Sequence, residues 1–243
     1  HGGAWMLQLM TDLFPIFRTV AGEGLRATLR RLAQDVPLQV HEVASGTPVL
    51  DWTVPNEWTI RDAHISDESG RRVVDLAASN LHVVSHSRPI DAILGLDELQ
   101  AHLHSLPDQP DWIPYRTSFF SDGWGFCLTH RQRAMMNEQR YRVVIDADLR
   151  PGSLSYGEIY LAGDSTQEIL VFAHCCHPSL ANDNLSGIAV AAAAIRELSS
   201  RSRRVSYRFV FAPTTIGSIA WLAANEATLD RVRGGLVLAN LGD

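Results

Sequence analysis

Cysteine is scarce in this sequence: three residues, Cys127, Cys175 and Cys176, the last two adjacent. An odd count with neighbouring members argues against a disulfide framework and for a reducing compartment, with the cytoplasm as the default. Long apolar runs are missing as well. No stretch approaches the roughly 20 residues needed to cross a bilayer. The opening His1-Gly2-Gly3-Ala4 has no basic region ahead of an apolar one, so neither a signal peptide nor a membrane partner is expected. Positive charge is not in excess, with 21 basic against 27 acidic residues and a formal net charge of −6. The basic residues are scattered. Their one dense run, Arg201-Ser202-Arg203-Arg204, falls between a helix-like and a strand-like segment, where a solvated turn belongs. Nothing here offers a face for nucleic acid. There is no internal repeat and no low-complexity tract.

What is present is ample apolar material: 46% of the 243 residues are hydrophobic, enough for one substantial core or two modest ones. Residues 4–34 read as helical. Met6, Leu7, Leu9, Met10, Leu13 and Phe14 form an apolar face up to Pro15, and Leu25, Leu29 and Leu32 recur at helical spacing with Arg26, Arg30 and Arg31 opposite. Val36, Leu38, Val40 and Val43 read as a strand. Residues 46–150 differ in composition and hold four of the six tryptophans. Short strand-like runs, Val73–Leu76 and Leu81–Val84, alternate there with turns such as Asp67-Glu68-Ser69-Gly70, and a short helix spans 96–103. This stretch is expected to be a β-rich inserted domain within a core built from 1–45 and 151–243.

From residue 151 the rhythm becomes α/β. Strands are predicted at Tyr156–Leu161, Glu168–His174, Val205–Ala212 and Gly235–Leu241, with helices at Leu185–Leu198 and Gly217–Val232. Strand–helix–strand–helix–strand implies a mostly parallel sheet flanked by helices. Ligands in such sheets sit beyond the carboxyl ends of the strands. The first such end is the richest: His174-Cys175-Cys176-His177-Pro178-Ser179-Leu180-Ala181-Asn182-Asp183-Asn184. Two imidazoles and a carboxylate within ten residues suit zinc and related ions. The bland alternative makes Asp183 or Asn182 a helix N-cap and the histidines structural. Cys175 and Cys176 offer thiolates as ligands, but neighbouring residues on an extended chain point to opposite faces, so both cysteines are expected in the core or behind the ligands.

At these residues the chain resembles the di-zinc aminopeptidase superfamily, and within it an uncharacterised bacterial aminopeptidase-like branch with a β-rich insertion. That superfamily places a His directly after a core strand, matched by Ala173-His174. A later acidic motif opens the next helix, matched by Ala181-Asn182-Asp183-Asn184-Leu185-Ser186-Gly187. Further likenesses to the branch are Leu13–Arg18, Asp51–Trp58, Trp124–Leu128, Tyr156-Gly157-Glu158 and Thr215–Ile219. The resemblance implies that Asp183 bridges metal. Alignment on Ala-His selects His174 as ligand, whereas the His-x-x-His-Pro pattern selects His177, and both stand as candidates. Asp243 is a further candidate by resemblance and position only. The implied cofactor is zinc, one or two ions. The implied activity is metal-dependent aminopeptidase-like hydrolysis of short peptides or related amides, in a chain that allows a homo-oligomer. More strands and a further His ligand would follow Asp243, so the chain resembles a truncated form of the fold.

One departure matters. The superfamily ends the strand after the first crossover in Glu-Glu, one carboxylate serving as general base and the next as ligand. Here Thr214 and Thr215 stand in those places, and a threonine hydroxyl is neither a base near neutral pH nor a usual zinc ligand. The catalytic residue is therefore unassigned, and a pseudo-enzyme or binding module on the same fold is the second reading. Loop aromatics Trp124 and Tyr115 are either core or the rim of a substrate cleft.

Overall fold

Pro15 disfavours helical conformation in the residue before it, and the first helix, α1 (Gly2–Leu13), stops just short of it. The structure, a computed structural model, describes residues 2–242. Helix α2 (Glu23–Leu32) buries Leu25, Leu29 and Leu32 on one stripe. Gly24 is required in it, because a Cβ there would lie 1.8 Å from the Phe17 carbonyl oxygen. Strand β1 (Gln39–Ala44) follows, then a small hairpin of β2 (Pro48–Val49) and β3 (Trp52–Thr53).

The chain divides into two compact units, one running to Glu57 and resuming at Pro151, the other Trp58–Arg150. The second unit is organised by β4 (Glu57–Ser66), β5 (Arg72–Asp75), β6 (Ile90–Gly95), α3 (Leu96–Gln100), β7 (Leu103–His104), β8 (Phe126–Cys127), α4 (His130–Met135) and β9 (Arg140–Arg150). Its main sheet has the order β5-β4-β9-β6. Trp58, Ala63, Ile65, Val74, Tyr141, Val143 and Ile145 are buried within the unit. The strand expected at Leu81–Val84 is instead a tight turn over Asn80–His82, because the Ser79 hydroxyl accepts the Leu81 N–H and the His82 ring bonds the Cys127 carbonyl. Trp124 is buried and stacked on His102 with centroids 3.7 Å apart, so it is no exposed rim residue.

Residues 46–57, expected in the insertion, pack with the α/β unit instead. Ser45 Oγ donates to the Pro55 carbonyl and accepts from Gly152 N, while the Glu57 carboxylate takes Arg26 and the Ser153 N–H.

The α/β unit continues with β10 (Ser153–Leu161), β11 (Ser165–His174), α5 (Gly187–Ser199), β12 (Val205–Ala212), α6 (Ile216–Asn225) and β13 (Val232–Val237). Its sheet has the order β1-β10-β12-β11-β13. The α/β character is as expected, and β12, β11 and β13 are mutually parallel neighbours. The sheet as a whole is mixed, since β10 runs antiparallel to both β1 and β12. Only three residues link β10 to β11, yet β12 lies between them. Ser206 at the start of β12 holds that arrangement: its hydroxyl accepts the Gly163 N–H and donates to the Ser165 carbonyl.

One sheet face carries Ile159, Val171, Ala173, Phe209 and Phe211. It buries them against Leu9, Leu13, Leu25, Leu29 and Leu32 of α1 and α2 and against Ile188, Ala192 and Ile195 of α5. Each large side chain so buried contributes about 1.5–3 kcal/mol. Alternation turns Glu158 and Arg208 to the other face. There Arg208 bridges the buried Glu168 and Glu158, and the Trp221 indole N–H donates to Glu158 at 2.5 Å.

Candidate metal centre

The three parallel strands end together, and the residues beyond them are laced to one another. Asn184 Nδ2 donates to the His174 carbonyl after β11 at 3.1 Å and to the Leu238 carbonyl after β13 at 2.8 Å. The Cys175 N–H bonds the Ala212 carbonyl at the end of β12, and Leu241 N donates to Ser186 Oγ. Gly187 fits under this lacing only because it has no side chain, since a Cβ would meet the Leu238 oxygen at 2.2 Å and Asn184 at 2.4 Å.

His174, the last residue of β11, is almost fully buried, and His177 stands three residues on. Their rings meet edge to face at 4.7 Å between centroids. Asp183 faces both imidazoles: one oxygen lies 2.8 Å from His174 Nε2 and the other 3.2 Å from His177 Nδ1. It sits in the irregular turn Ala181–Ser186, where Asp183 and Asn184 have non-helical dihedrals. The N-cap of α5 is Ser186, with no side-chain cap bond, so Asp183 is spent on the histidines and not on a helix end.

Cys176 joins this group. Its Sγ and the ring nitrogens of His174 and His177 lie within 4.8 Å of one another. The Thr214 backbone N–H donates to that sulfur at 3.2 Å, and the Thr214 hydroxyl lies 3.3 Å from it. Burial pushes the Cys176 thiol up, but the neighbouring imidazoles of His174 and His177, with Thr214, outweigh it and bring the thiol down to about 6. Cys175 is the opposite case, held well above the ordinary thiol range by burial in the apolar core. For His177, burial acts downward, and the charge and hydrogen bonding of Cys176 and Asp183 overcome it, raising the imidazole.

Both cysteines are buried, Cys175 in the apolar cluster and Cys176 beside the two imidazoles, in keeping with a place in the core or behind the ligands; which of the two faces the imidazoles was left open. The signal was available in the alternation itself, which puts Cys176 on the side of His174 two residues before it. Arg18 was also missed: its fully buried guanidinium donates to the Leu13 carbonyl and, at 2.9 Å, to the His177 carbonyl. Thr215, with φ of 62°, opens α6 and is exposed. Asp243 lies outside the described residues. A cavity of about 740 Å³ in the Trp58–Arg150 unit, lined by Arg72, Arg140 and Arg142 among others, contains none of the expected site residues.

The donors present fit a zinc-type ion. They are nitrogen, carboxylate oxygen and sulfur, the types that zinc takes. His174 Nδ1 is a buried ring nitrogen with no hydrogen-bond partner, and such an atom is costly unless something else engages it.

The family described as "Domain of unknown function (DUF4910)" matches residues 7–243. A Clostridium acetobutylicum protein whose name refers to polysaccharide biosynthesis and to an aminopeptidase-like domain is 46% identical over 99% of this chain and 56% of its own length. A crystal structure from the same organism, described as a candidate peptidase, superposes with a TM-score of 0.97 at 46% identity, covering 99% of this chain and 57% of the other. The chain thus spans a little over half the length of the relatives it matches. A zinc aminopeptidase from Bacillus subtilis superposes with a TM-score of 0.66 at 14% identity, over all of this chain and 69% of that one, which shows a shared fold.

Proposed function

This chain belongs to the DUF4910 family and has the zinc-aminopeptidase fold, and we propose that it is a metal-dependent aminopeptidase-like hydrolase acting on short peptides or related amides. The observation that carries this reading is the convergence of His174, His177 and Asp183 at the end of β11. These three side chains would hold zinc, one or two ions. When bound, zinc supplies Lewis-acid polarisation of the scissile carbonyl and an activated water near neutral pH.

The chain's own residues do the positioning. Asp183 brings its two oxygens against the two imidazoles, one to each ring. Burial of His174 excludes water from behind the donors. Arg18 and Asn184 hold the backbone on either side of the loop, at the His177 and His174 carbonyls. The three free cysteines suit a cytoplasmic setting, and no described helix is long and apolar enough to cross a membrane.

The second reading, a catalytically impaired protein on the same fold, is favoured by one observation. Thr214, in the place where the superfamily puts its general base, is turned to Cys176. Zinc content and leucine-anilide hydrolysis of the full natural chain, with and without chelator, separate the two. Stoichiometric zinc with chelator-sensitive turnover is expected; zinc without turnover would establish the second reading, and neither metal nor turnover would sink the first.

A further inference from the structure

Holding metal through His174, His177 and Asp183 leaves the sulfur beside them without a role. We propose that Cys176 is itself a metal ligand, its thiolate joining His174 and His177 in a nitrogen–sulfur centre that favours zinc over harder divalent cations. This inference rests on the metal-centre reading above and adds a donor to it.

The argument is geometric. At the end of β11, His174 and Cys176 fall on one side and Cys175 on the other. Cys175 enters the apolar cluster with Leu185 and Phe211, as an inert buried thiol does. Cys176 is equally buried but lies among polar groups. Zinc bonds of about 2.0–2.3 Å in tetrahedral geometry place donors about 3.5 Å apart. The three donors here already lie within 4.8 Å of one another, so small side-chain rotations close the set.

Thr214 completes the case. A sulfur in an apolar core needs no hydrogen-bond donor, whereas a ligating thiolate is supported by donors behind it. Cys176 has the Thr214 backbone N–H at 3.2 Å and the Thr214 hydroxyl at 3.3 Å. Thr214 and Thr215 stand where the resemblance implies a pair of carboxylates. A carboxylate at 214 would set negative charge against the sulfur; threonine sets a donor there. The centre thus loses an oxygen donor and gains a sulfur, which moves its preference toward zinc and away from magnesium or manganese. Binding displaces the thiol proton to solvent as the metal–sulfur bond forms.

Cobalt(II) substitution of the full natural chain tests this, because cobalt–thiolate bonding gives a near-ultraviolet charge-transfer band that nitrogen and oxygen donors do not. The chelator-stripped protein is titrated with cobalt and its spectrum recorded, and Cys176→Ser and Cys127→Ser are treated alike, each checked for folding by circular dichroism. The expected result is a band in the natural chain and in Cys127→Ser that vanishes in Cys176→Ser, with zinc affinity of the latter reduced at least about 10-fold. Stoichiometric cobalt without the band in the natural chain overturns the inference and leaves the metal-centre reading standing; that measurement needs no variant to fold. A band that survives in Cys176→Ser assigns the bond to another thiol and also overturns it. Failure to bind cobalt or zinc at all overturns both readings.

Discussion

Arg18 is the residue whose role no local pattern announced. It follows the break after α1 with no acidic neighbour in sequence, yet its side chain is 1% exposed and holds the carbonyls of Leu13 and His177. Replacing it with methionine keeps much of the volume and removes both bonds. Groups that orient ligands in this way cost about 10–100-fold in metal affinity when lost, so Arg18→Met is expected to lower zinc affinity within that range while far-ultraviolet circular dichroism stays unchanged. A competition titration against a chromophoric chelator checks it, and natural affinity in a folded Arg18→Met protein would remove Arg18 from the site. The histidines and Asp183 were legible because they crowd into ten residues at a strand end. Cys176 was half legible, through alternation. Arg18 was not, because it lies 159 residues from the carbonyl it serves and only the packing of α1 against that loop brings it there.

Among the elements, α2 is tied to the starts of β4 and β10 through one carboxylate. Glu57 accepts two bonds from Arg26, at 2.5 and 2.8 Å, and one from the Ser153 N–H at 2.7 Å. The Arg26 guanidinium, acting against burial and helped by the Ser153 amide, holds the Glu57 carboxyl below its ordinary 4.5. A carboxyl depressed in the folded state contributes stability that is complete above the unfolded value and is lost as pH falls through the folded one. The melting temperature of the natural chain is therefore expected to drop on acidification below about 4.5, and Glu57→Gln, less stable by about 1–3 kcal/mol at neutral pH, to show a shallower drop. Parallel acid slopes in the two proteins would show that Glu57 does not carry this linkage. The element types were readable from periodicity: α1, α2, β11, α5 and β12 lie close to where spacing puts them. The position of β12 between β10 and β11 was not, since a three-residue link favours a plain hairpin, and what holds β12 there instead is a set of bonds to that turn from Ser206 and Arg203.

At the scale of the whole molecule, the Trp58–Arg150 unit has its own sheet and buried core. The chain leaves and re-enters the α/β unit at neighbouring points, with Glu57 bonded to Ser153. Replacing Trp58–Arg150 by a short Gly-Ser linker in the full natural chain is expected to leave a protein that melts cooperatively and binds zinc as the parent does. A non-cooperative product would show that the α/β unit depends on the insertion. Sequence alone determined the α/β rhythm, the compositional break that marks the insertion, and the strand end where the imidazoles and carboxylate gather. Those features follow from periodicity and short-range spacing, which a linear chain displays. Tertiary structure decided the mixed order of the sheet, the placement of residues 46–57, and the meeting of Cys176 with Thr214 and of His177 with Arg18. Each depends on bonds between residues far apart in the chain, and such contacts exist only once the strands have been ordered beside one another.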